Sequence, residues 1–147
     1  MTEENKTTSE VFEAIRNSVE REPYARILGM RLVDLDLGRA VTEMEFSGDM
    51  KNIFGMAHGG AIFSLIDEAF GAASNSYGTV AVALNVNIVY IHPPSPGETL
   101  RAEATEISRT RRISTYEIRV LGEDGELIAT SQATAYRKKE KLPFLDS

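Results

Sequence analysis

The sequence predicts an α+β domain in which a curved antiparallel sheet of about six strands wraps around one long central helix. Two observations support this fold class. The stretch from Gly59 to about Asn75 is apolar over most of a helix circumference, and it is preceded by a predicted hairpin and followed by four strand-like runs. A helix that is apolar nearly all round must be buried. A curved sheet is the element that can cover it on most sides.

The central helix carries its polar and small residues in one stripe. Relative to the first of them, they lie at positions i, i+3, i+4, i+7, i+10 and i+11, and they are Ser64, Asp67, Glu68, Gly71, Ser74 and Asn75. Residues at this spacing share one face of a helix. A polar stripe on a helix that is otherwise wrapped predicts the lining of a cleft or a subunit interface.

The residues before the central helix predict a helix, a short bridge and a hairpin. Apolar residues recur at helical spacing after a possible N-cap at Ser9, and these are Val11, Phe12, Ile15 and Val19. Pro23 ends this helix, and residues 24–28 form a bridge. Residues 30–46 predict a β-hairpin with its turn at Gly38.

Four further strands are expected over residues 80–91, 99–107, 113–121 and 127–136, separated by turns rich in proline, glycine and arginine. We therefore expect a polar segment and helix over residues 1–22, the folded domain over 23–137 and a charged tail over 138–147. An exposed edge of the sheet would favour pairing with a second copy of the chain.

Composition excludes several classes of function. The 147 residues contain no cysteine and two histidines, which argues against thiolate chemistry, disulfides and a histidine-rich metal site. The formal net charge of −6 disfavours nucleic-acid binding. No apolar run is long enough to span a membrane, and the polar N-terminus does not predict a secretion signal. A cytoplasmic location is expected.

A possible reactive centre lies where a loop ends in His58-Gly59-Gly60 and the central helix begins. The first N–H groups of a helix lack intrahelical partners and lie at the positive end of its dipole. Gly59 and Gly60 would let a ligand approach these donors, which could stabilise an oxyanion formed from a carbonyl group. The alternative is that the glycines only form a tight start to the helix.

Asp67 is the candidate catalytic carboxylate because it lies in an apolar helix, where an unpaired carboxylate is costly. It could attack a carbonyl carbon or activate a water molecule. Pairing with a buried Arg or Lys is the structural alternative. Asp67 is separated from Gly59 by about 12 Å along the helix axis, at 1.5 Å per residue. Because this is too far for both to act on one carbonyl, we expect the two groups to come from facing subunits.

The spacing Asn52-x5-His58-Gly59-Gly60-x6-Asp67, together with residues 64–70 and the later Asn87-Ile88-Val89-Tyr90-x-x-Pro93, resembles the PaaI-type (phenylacetate-degradation) branch of the hotdog thioesterases. The resemblance covers roughly residues 23–136.

The resemblance implies a hotdog fold, dimers that often pair into tetramers, and hydrolysis of acyl-CoA, frequently aryl-acyl or hydroxylated aryl-acetyl CoA, without metal or redox cofactor. Asp67 would match the nucleophile or general base, and the Gly59 N–H would match the oxyanion donor. His58 would orient the thioester, and Asn52 would position the carbonyl or water, although Asn52 could equally be a turn residue.

The rest of the predicted site is less regular. Relatives often carry a hydroxyl on the strand after the helix, where this chain has Ala83, and Asn85 could substitute on the same face. A basic patch for the CoA phosphates is expected at Arg109, Arg111 and Arg112, with Arg101, Lys138 and Lys139 as outer candidates. The acyl pocket is expected among Phe54, Met56, Phe63 and Phe70.

Two neighbouring residues have structural interpretations. Glu68 is expected to form a salt bridge or an interface, and His92 to belong to the end of a strand. Three other functions compete with thioester hydrolysis: a non-catalytic acyl-CoA binding or sensor protein, a dehydratase or hydratase, and a purely structural oligomer. The hydratase motif D-x-N-P-x-H is absent, and the other two leave Asp67 without a role.

Overall fold

A computed structural model describes the chain over residues 3–145, with side chains from residue 8 onward. Three helices and six strands follow in the order α1 (Glu3–Arg21), α2 (Pro23–Leu28), β1 (Arg31–Asp36), β2 (Arg39–Glu45), α3 (Gly59–Asn75), β3 (Thr79–Tyr90), β4 (Thr99–Arg109), β5 (Ile113–Leu121) and β6 (Leu127–Lys141). A short 3-10 turn, Gly48–Met50, follows β2.

The six strands form one antiparallel sheet in the spatial order β1-β2-β4-β5-β6-β3. The expected hairpin is β1–β2, and the four later strands lie where the sequence predicts them. The strand that follows α3 crosses to the far edge of the sheet instead of pairing with β4. This crossover places β3 beside the first turn of α3 and makes it an edge strand.

Helix α3 packs against the sheet and carries much of the core. Leu65, Ile66, Ala69 and Ala73 are fully buried in it. The sheet side of this contact consists largely of small residues, including Ala102, Ala104, Ala129, Ala133 and Ala135. Small side chains let the helix approach the strands closely. The Thr42 hydroxyl on β2 also donates to the Leu65 carbonyl at 3.1 Å. The predicted α+β architecture is confirmed.

The N-terminal region is more helical than expected. Helix α1 begins at Glu3, six residues before the predicted N-cap at Ser9, and it ends ahead of Pro23 as predicted. Its buried apolar side chains join the main core. Residues 24–28, expected as a bridge, belong to α2, which starts with Pro23 in its first turn and ends at Gly29 with φ +70°. Proline fits a first helical turn and glycine the left-handed C-cap.

The last two strands in the spatial order of the sheet, β6 and β3, differ from the simple strand pattern. Strand β6 continues to Lys141 and Leu142 is buried, so the first residues of the expected charged tail belong to the fold. Strand β3 spans 12 residues and pairs with β6 along one side only in the described part of the chain. Its register shifts between Thr79 and Ala81 and again between Ala83 and Asn85. A bulge of this kind reverses the faces that later side chains occupy.

Candidate active site

The loop that leads into α3 is held by Asn52. Its Oδ1 accepts hydrogen bonds from the N–H groups of Phe54 at 2.9 Å and Met56 at 3.1 Å. Its backbone N–H donates to the Met56 carbonyl, and Gly55 takes a φ of +75° to close the turn. Asn52 therefore acts as an Asx-turn residue. Its Oδ1 is already engaged, so that only its amide nitrogen is available to a ligand.

His58 is the N-cap of α3. Its Nδ1 accepts the N–H of Gly60 at 2.9 Å, while its carbonyl accepts the N–H of Ala61 at 3.0 Å. Within the described residues, the Gly59 N–H is left without a partner at the first position of the helix. Of the two glycines predicted to face a ligand, Gly59 therefore keeps a free donor and Gly60 does not.

Neighbouring side chains lie close to both glycines. A Cβ on Gly59 would lie 3.1 Å from the ring and hydroxyl of Tyr90, and one on Gly60 would lie 3.0 Å from His58 Nδ1. The Tyr90 hydroxyl donates to the Gly59 carbonyl at 2.9 Å. The start of α3 is thus held from two sides, by its own N-cap and by the end of β3.

Asp67 lies eight residues, or just over two turns, along α3 from Gly59, on the side that the single chain leaves open. Its carboxylate is exposed and has no hydrogen bond or ion pair within the described residues. It is therefore not neutralised by a buried Arg or Lys. The protein surface around it nevertheless removes enough water to raise the pKa of Asp67, and the nearby Glu22 carboxylate raises it further. A raised pKa makes a carboxylate a stronger base.

The predicted polar stripe is only partly correct. Phe63, an apolar residue of α3 that the sequence predicts in the acyl pocket, is 40% exposed on the same open side as Asp67. Ser64, which the pattern assigned to the stripe, is buried because its hydroxyl meets the Tyr24 hydroxyl at 2.7 Å. Helix α2, not foreseen from the sequence, covers this part of α3. The open side of α3 is therefore a mixed apolar and acidic surface.

Among the side chains that the structure describes, Glu68 forms no salt bridge, which corrects one of its expected roles. Its carboxyl group instead hydrogen-bonds the carboxyl group of Glu22 at the junction of α1 and α2. Burial is the main reason that the pKa of Glu68 is raised to about 8, and Glu22 and Asp67 add to the effect. Glu68 is consequently protonated at neutral pH and places no charge beside Asp67.

A cavity of about 290 Å³ lies at the start of α3, with Gly59 among its lining residues. Its lining is mostly apolar and consists of Met56, Ala57, Gly59, Ile62, Tyr90, Ile91, His92 and Pro93. Of the aromatic residues expected to line an acyl pocket, Phe70 does not, because it is buried in the core with its ring 5.6 Å from that of Tyr116. Phe54 is 79% exposed on the loop before α3.

Asn85 does not share a face with Ala83, contrary to prediction. Ala83 pairs with Ala135 and Asn85 with Thr134, so that Leu84 is the extra residue of a bulge. Adjacent residues on β6 point to opposite faces. Asn85 therefore lies on the outer face, where its Oδ1 accepts the side-chain amide of Asn87 at 2.9 Å. It cannot replace a hydroxyl at Ala83 within this protomer.

The three predicted basic residues lie at the β4–β5 turn, near the C-terminal end of α3. Arg109 is already engaged, with its guanidinium 3.8 Å above the Tyr77 ring and 3.2 Å from Glu106. Arg112 donates to the Tyr136 hydroxyl at 2.8 Å. Arg111 is exposed and is the freest cation of the three. An α3 of 17 residues separates this turn from Gly59 by about 25 Å in one protomer.

Other expectations concern residues outside this centre. His92 lies 3.3 Å from Glu126 just after β3, consistent with its assignment to a strand end. Over the residues that the structure describes, no three His, Cys, Asp or Glu side chains are grouped to hold a metal ion. Among the helices of the described range, none is long and apolar enough to span a membrane.

Sequence reasoning missed two contributors, Tyr90 and Glu22. Tyr90 stands in the motif after α3, but its contact with Gly59 depends on the crossover that brings β3 beside the helix start. Glu22 lies just before Pro23, far from Asp67 and Glu68 in the sequence, and nothing in the local pattern places its carboxyl group beside theirs. Its position depends on the short helix α2, which the sequence pattern did not predict.

Comparison with known proteins identifies the family. The model of the thioesterase superfamily matches residues 54–129, which is just over half of the chain. A putative esterase of Archaeoglobus fulgidus is 35% identical over 136 residues, which are 92% of this chain and 88% of that protein. The acyl-coenzyme A thioesterase PaaI of Escherichia coli is 32% identical over 118 residues, which are 80% of this chain and 84% of that protein.

The fold agrees with this assignment. The solved structure of the E. coli PaaI protein from the phenylacetic acid degradation operon superposes with a TM-score of 0.86 at 28% identity, covering 91% of this chain and 97% of that one. The shared features are the antiparallel six-stranded sheet and the helix packed against it. The chain therefore belongs to the thioesterase superfamily, in its PaaI-type hotdog branch, and is a thioester hydrolase.

Proposed function

We propose that this chain hydrolyses an acyl-CoA thioester to the free acid and CoA, with aryl-acyl and hydroxylated aryl-acetyl groups as the first candidates. The proposal rests on the presence of two groups on α3 that both lack partners within the described residues. Asp67 offers a carboxylate without a counter-ion, and Gly59 offers an N–H without an acceptor. The name of the E. coli relative supports acyl-CoA as the substrate class.

The chemistry requires one group on each side of the thioester carbonyl. In the first route, Asp67 takes a proton from water, the hydroxide adds to the carbonyl carbon, and the C–S bond breaks to release CoA thiolate. In the second, the Asp67 carboxylate adds directly, CoA thiolate leaves, and water then hydrolyses the resulting anhydride. In both routes the Gly59 N–H stabilises the oxyanion, an interaction worth about 3–4 kcal/mol for one good donor.

The two groups cannot serve one carbonyl within a protomer. Eight residues of regular α-helix separate them, which is about 12 Å along the axis. We infer a homodimer in which Asp67 of one subunit faces Gly59 of the other. The unpaired edge of β3 supports this arrangement, since Leu84 and Val89 are 58% and 61% exposed along it. A long apolar edge is a template for pairing with another chain.

The acyl group would enter the cavity beside Gly59, where Met56, Ile62 and Tyr90 provide an apolar lining with one aromatic ring. Its volume of about 290 Å³ is at the lower end of small-ligand sites, which favours a compact aryl or short aliphatic group over a long chain. The nucleotide of CoA would need cations, and Arg111 is the freest of the three arginines at the β4–β5 turn.

The experiment that tests this function follows free thiol release from a panel of acyl-CoA esters. The wild-type protein should turn over at least one of them, and Asp67→Asn should lose activity by orders of magnitude while keeping its fold and oligomeric state. Glu68→Gln is the matched control, because it removes an adjacent carboxyl that is already protonated at neutral pH. Full turnover by Asp67→Asn would exclude the assigned role, and tight binding without turnover by the wild type would indicate a sensor.

A further inference from the structure

Tyr90 contacts the start of α3 at the proposed oxyanion donor. It lies near the end of the edge strand β3, on the same face as the buried core residues, and its register partner is Ala129. The Tyr90 hydroxyl donates to the Gly59 carbonyl at 2.9 Å. The ring occupies the space in which a Gly59 side chain would lie. The residue belongs to the sequence motif, and the proposed function uses only its ring, as part of the lining of the acyl cavity, and not its hydroxyl.

This hydrogen bond is not needed to satisfy buried polar groups. The Tyr90 side chain is 52% exposed, so its hydroxyl could bind water instead. The Gly59 carbonyl lies in the first turn of α3, where it can accept an intrahelical bond and still has a second lone pair. A contact that neither partner requires for its own solvation points to a positioning role.

The peptide unit between Gly59 and Gly60 is hydrogen-bonded at both of its ends. Its carbonyl accepts the Tyr90 hydroxyl, and its N–H donates to His58 Nδ1 at 2.9 Å. Hydrogen bonds in such a series polarise and strengthen one another. The contacts run from the Tyr90 hydroxyl through the Gly59–Gly60 peptide to the His58 imidazole. Together they fix the plane of that peptide and the orientation of the imidazole ring.

The last contact decides which nitrogen of His58 carries a proton. An Nδ1 that accepts a hydrogen bond is unprotonated, so the neutral ring carries its proton on Nε2. His58 is exposed, and that Nε2–H is free to donate to a ligand. Burial raises the pKa of Tyr90, so that its hydroxyl remains a donor well above neutral pH.

We propose that Tyr90 is a positioning residue for the reaction, because through the Gly59–Gly60 peptide it holds His58 in the tautomer that leaves Nε2–H free to donate at the start of α3. The thioester carbonyl would then meet two donors at the start of α3, one from the backbone and one from the imidazole. This role rests on the proposed thioester hydrolysis. Tyr90 itself would not touch the reacting atoms through its hydroxyl.

The test compares two single-hydroxyl deletions on the full-length protein. Tyr90→Phe keeps the ring against Gly59 and removes only the donor to its carbonyl. Tyr24→Phe is the matched control, because it removes a tyrosine hydroxyl that meets Ser64 on the same helix at 2.7 Å. We expect Tyr90→Phe to lower kcat about three- to tenfold with KM nearly unchanged, and Tyr24→Phe to change kcat by less than about twofold.

A second readout separates positioning from stability. Nitrogen-15 NMR of His58 in the wild type should show protonated Nε2 and unprotonated Nδ1. In Tyr90→Phe the two tautomers should mix, and the Gly60 amide proton should move upfield, while thermal unfolding shifts little. Tyr24→Phe should leave both signals in place. A loss of stability alone would not change the tautomer of an exposed imidazole.

Failure of the Tyr90 role and failure of the proposed thioester hydrolysis would give different results. If the wild type hydrolyses no thioester, the function itself is wrong. If the wild type is active and Tyr90→Phe retains both its kcat and the wild-type His58 tautomer, only the role of Tyr90 is overturned. A kcat that falls equally in Tyr90→Phe and Tyr24→Phe, with unchanged tautomer, would also overturn it, since that pattern indicates a general loosening of α3.

Discussion

Two groups of the single chain remain without partners, and each has a different physical reason. The Gly59 N–H is free because the first residue of a helix has no carbonyl one turn before it, and because His58 takes up the two donors that follow. Asp67 is free because α3 faces open space on one side. A backbone donor cannot be deleted by a conventional side-chain change, so its test needs proline.

Gly59→Pro should abolish the donor and leave the helix start intact. Proline is well tolerated at the first helical position, and His58 has φ −69° and ψ 127°, which suit a residue before proline. Gly59→Ala is the control, because it adds the same Cβ against Tyr90 and keeps the N–H. We expect kcat of the proline variant to be about 100- to 1000-fold below that of the alanine variant. Equal rates in steady-state assays would exclude the Gly59 N–H as oxyanion donor.

The Glu22–Glu68 pair predicts how stability depends on pH. The pKa of Glu68 is about 8 in the folded state against an ordinary 4.5, so that the folded protein binds more protons than the unfolded chain between these values. Stability should therefore fall as pH rises from about 4.5 to about 8, by at most about 1.4 kcal/mol per pH unit for one group.

Glu68→Gln should flatten this slope and make the variant more stable than the wild type near pH 8. Urea unfolding at several pH values and one fixed protein concentration measures it. Glu117→Gln, which removes an exposed carboxylate on β5, should keep the wild-type slope. If Glu68→Gln and the wild type lose stability in parallel up to pH 8, the carboxyl pair does not hold its proton as described.

At the scale of elements, the sequence predicts what depends on local pattern. Helix α3 and all six strands could be located, because their apolar periodicity extends over many residues. The six-residue α2 could not, since a short helix has little periodicity and owes its formation to Pro23 and to packing of Tyr24 on Ser64. The start of α1 was also missed, because polar residues give no amphipathic signal.

The site, too, could be predicted where it depends on local sequence and not where it depends on tertiary structure. His58, Gly59 and Asp67 lie on one helix, so their relation follows from residue spacing. The contact of Tyr90 with Gly59 and the inversion of Asn85 both depend on β3, whose crossover and bulge are tertiary features. A one-residue bulge is not visible in an alternating pattern, yet it moves a side chain to the other side of the sheet.

The β4–β5 turn gives a prediction of its own. Arg111→Gln should raise KM for an acyl-CoA ester and leave kcat nearly unchanged, because Arg111 is exposed and would contact only the CoA phosphates. It should not affect a short acyl thioester that lacks the nucleotide. Arg119→Gln, an equal loss of charge on the outer face of β5, is the control. The wild-type KM for acyl-CoA should also rise with salt. If Arg111→Gln affects both substrates alike, the turn does not bind phosphate.

At the scale of the whole molecule, the distances in one protomer imply a partner. The Gly59 donor and the Arg111 turn lie at opposite ends of α3, and Asp67 lies between them on the open side. Two copies could meet along β3 with their α3 helices antiparallel. The start of each α3 would then lie near the middle of the other subunit's α3 and near the other subunit's β4–β5 turn. One such arrangement would supply all three features to each of two equivalent sites.

A mixing experiment tests whether the site is shared. Asp67→Asn and Gly59→Pro should each be nearly inactive alone. When the two are unfolded together in equal amounts and refolded, random pairing should give about half mixed dimers, each with one intact site, and therefore about a quarter of wild-type activity. A site contained in one protomer would give no recovery, because every protomer would carry one defect. As a control, Asp67→Asn mixed with the Asp67→Asn/Gly59→Pro double variant should stay inactive, since no subunit of that mixture can contribute the carboxylate.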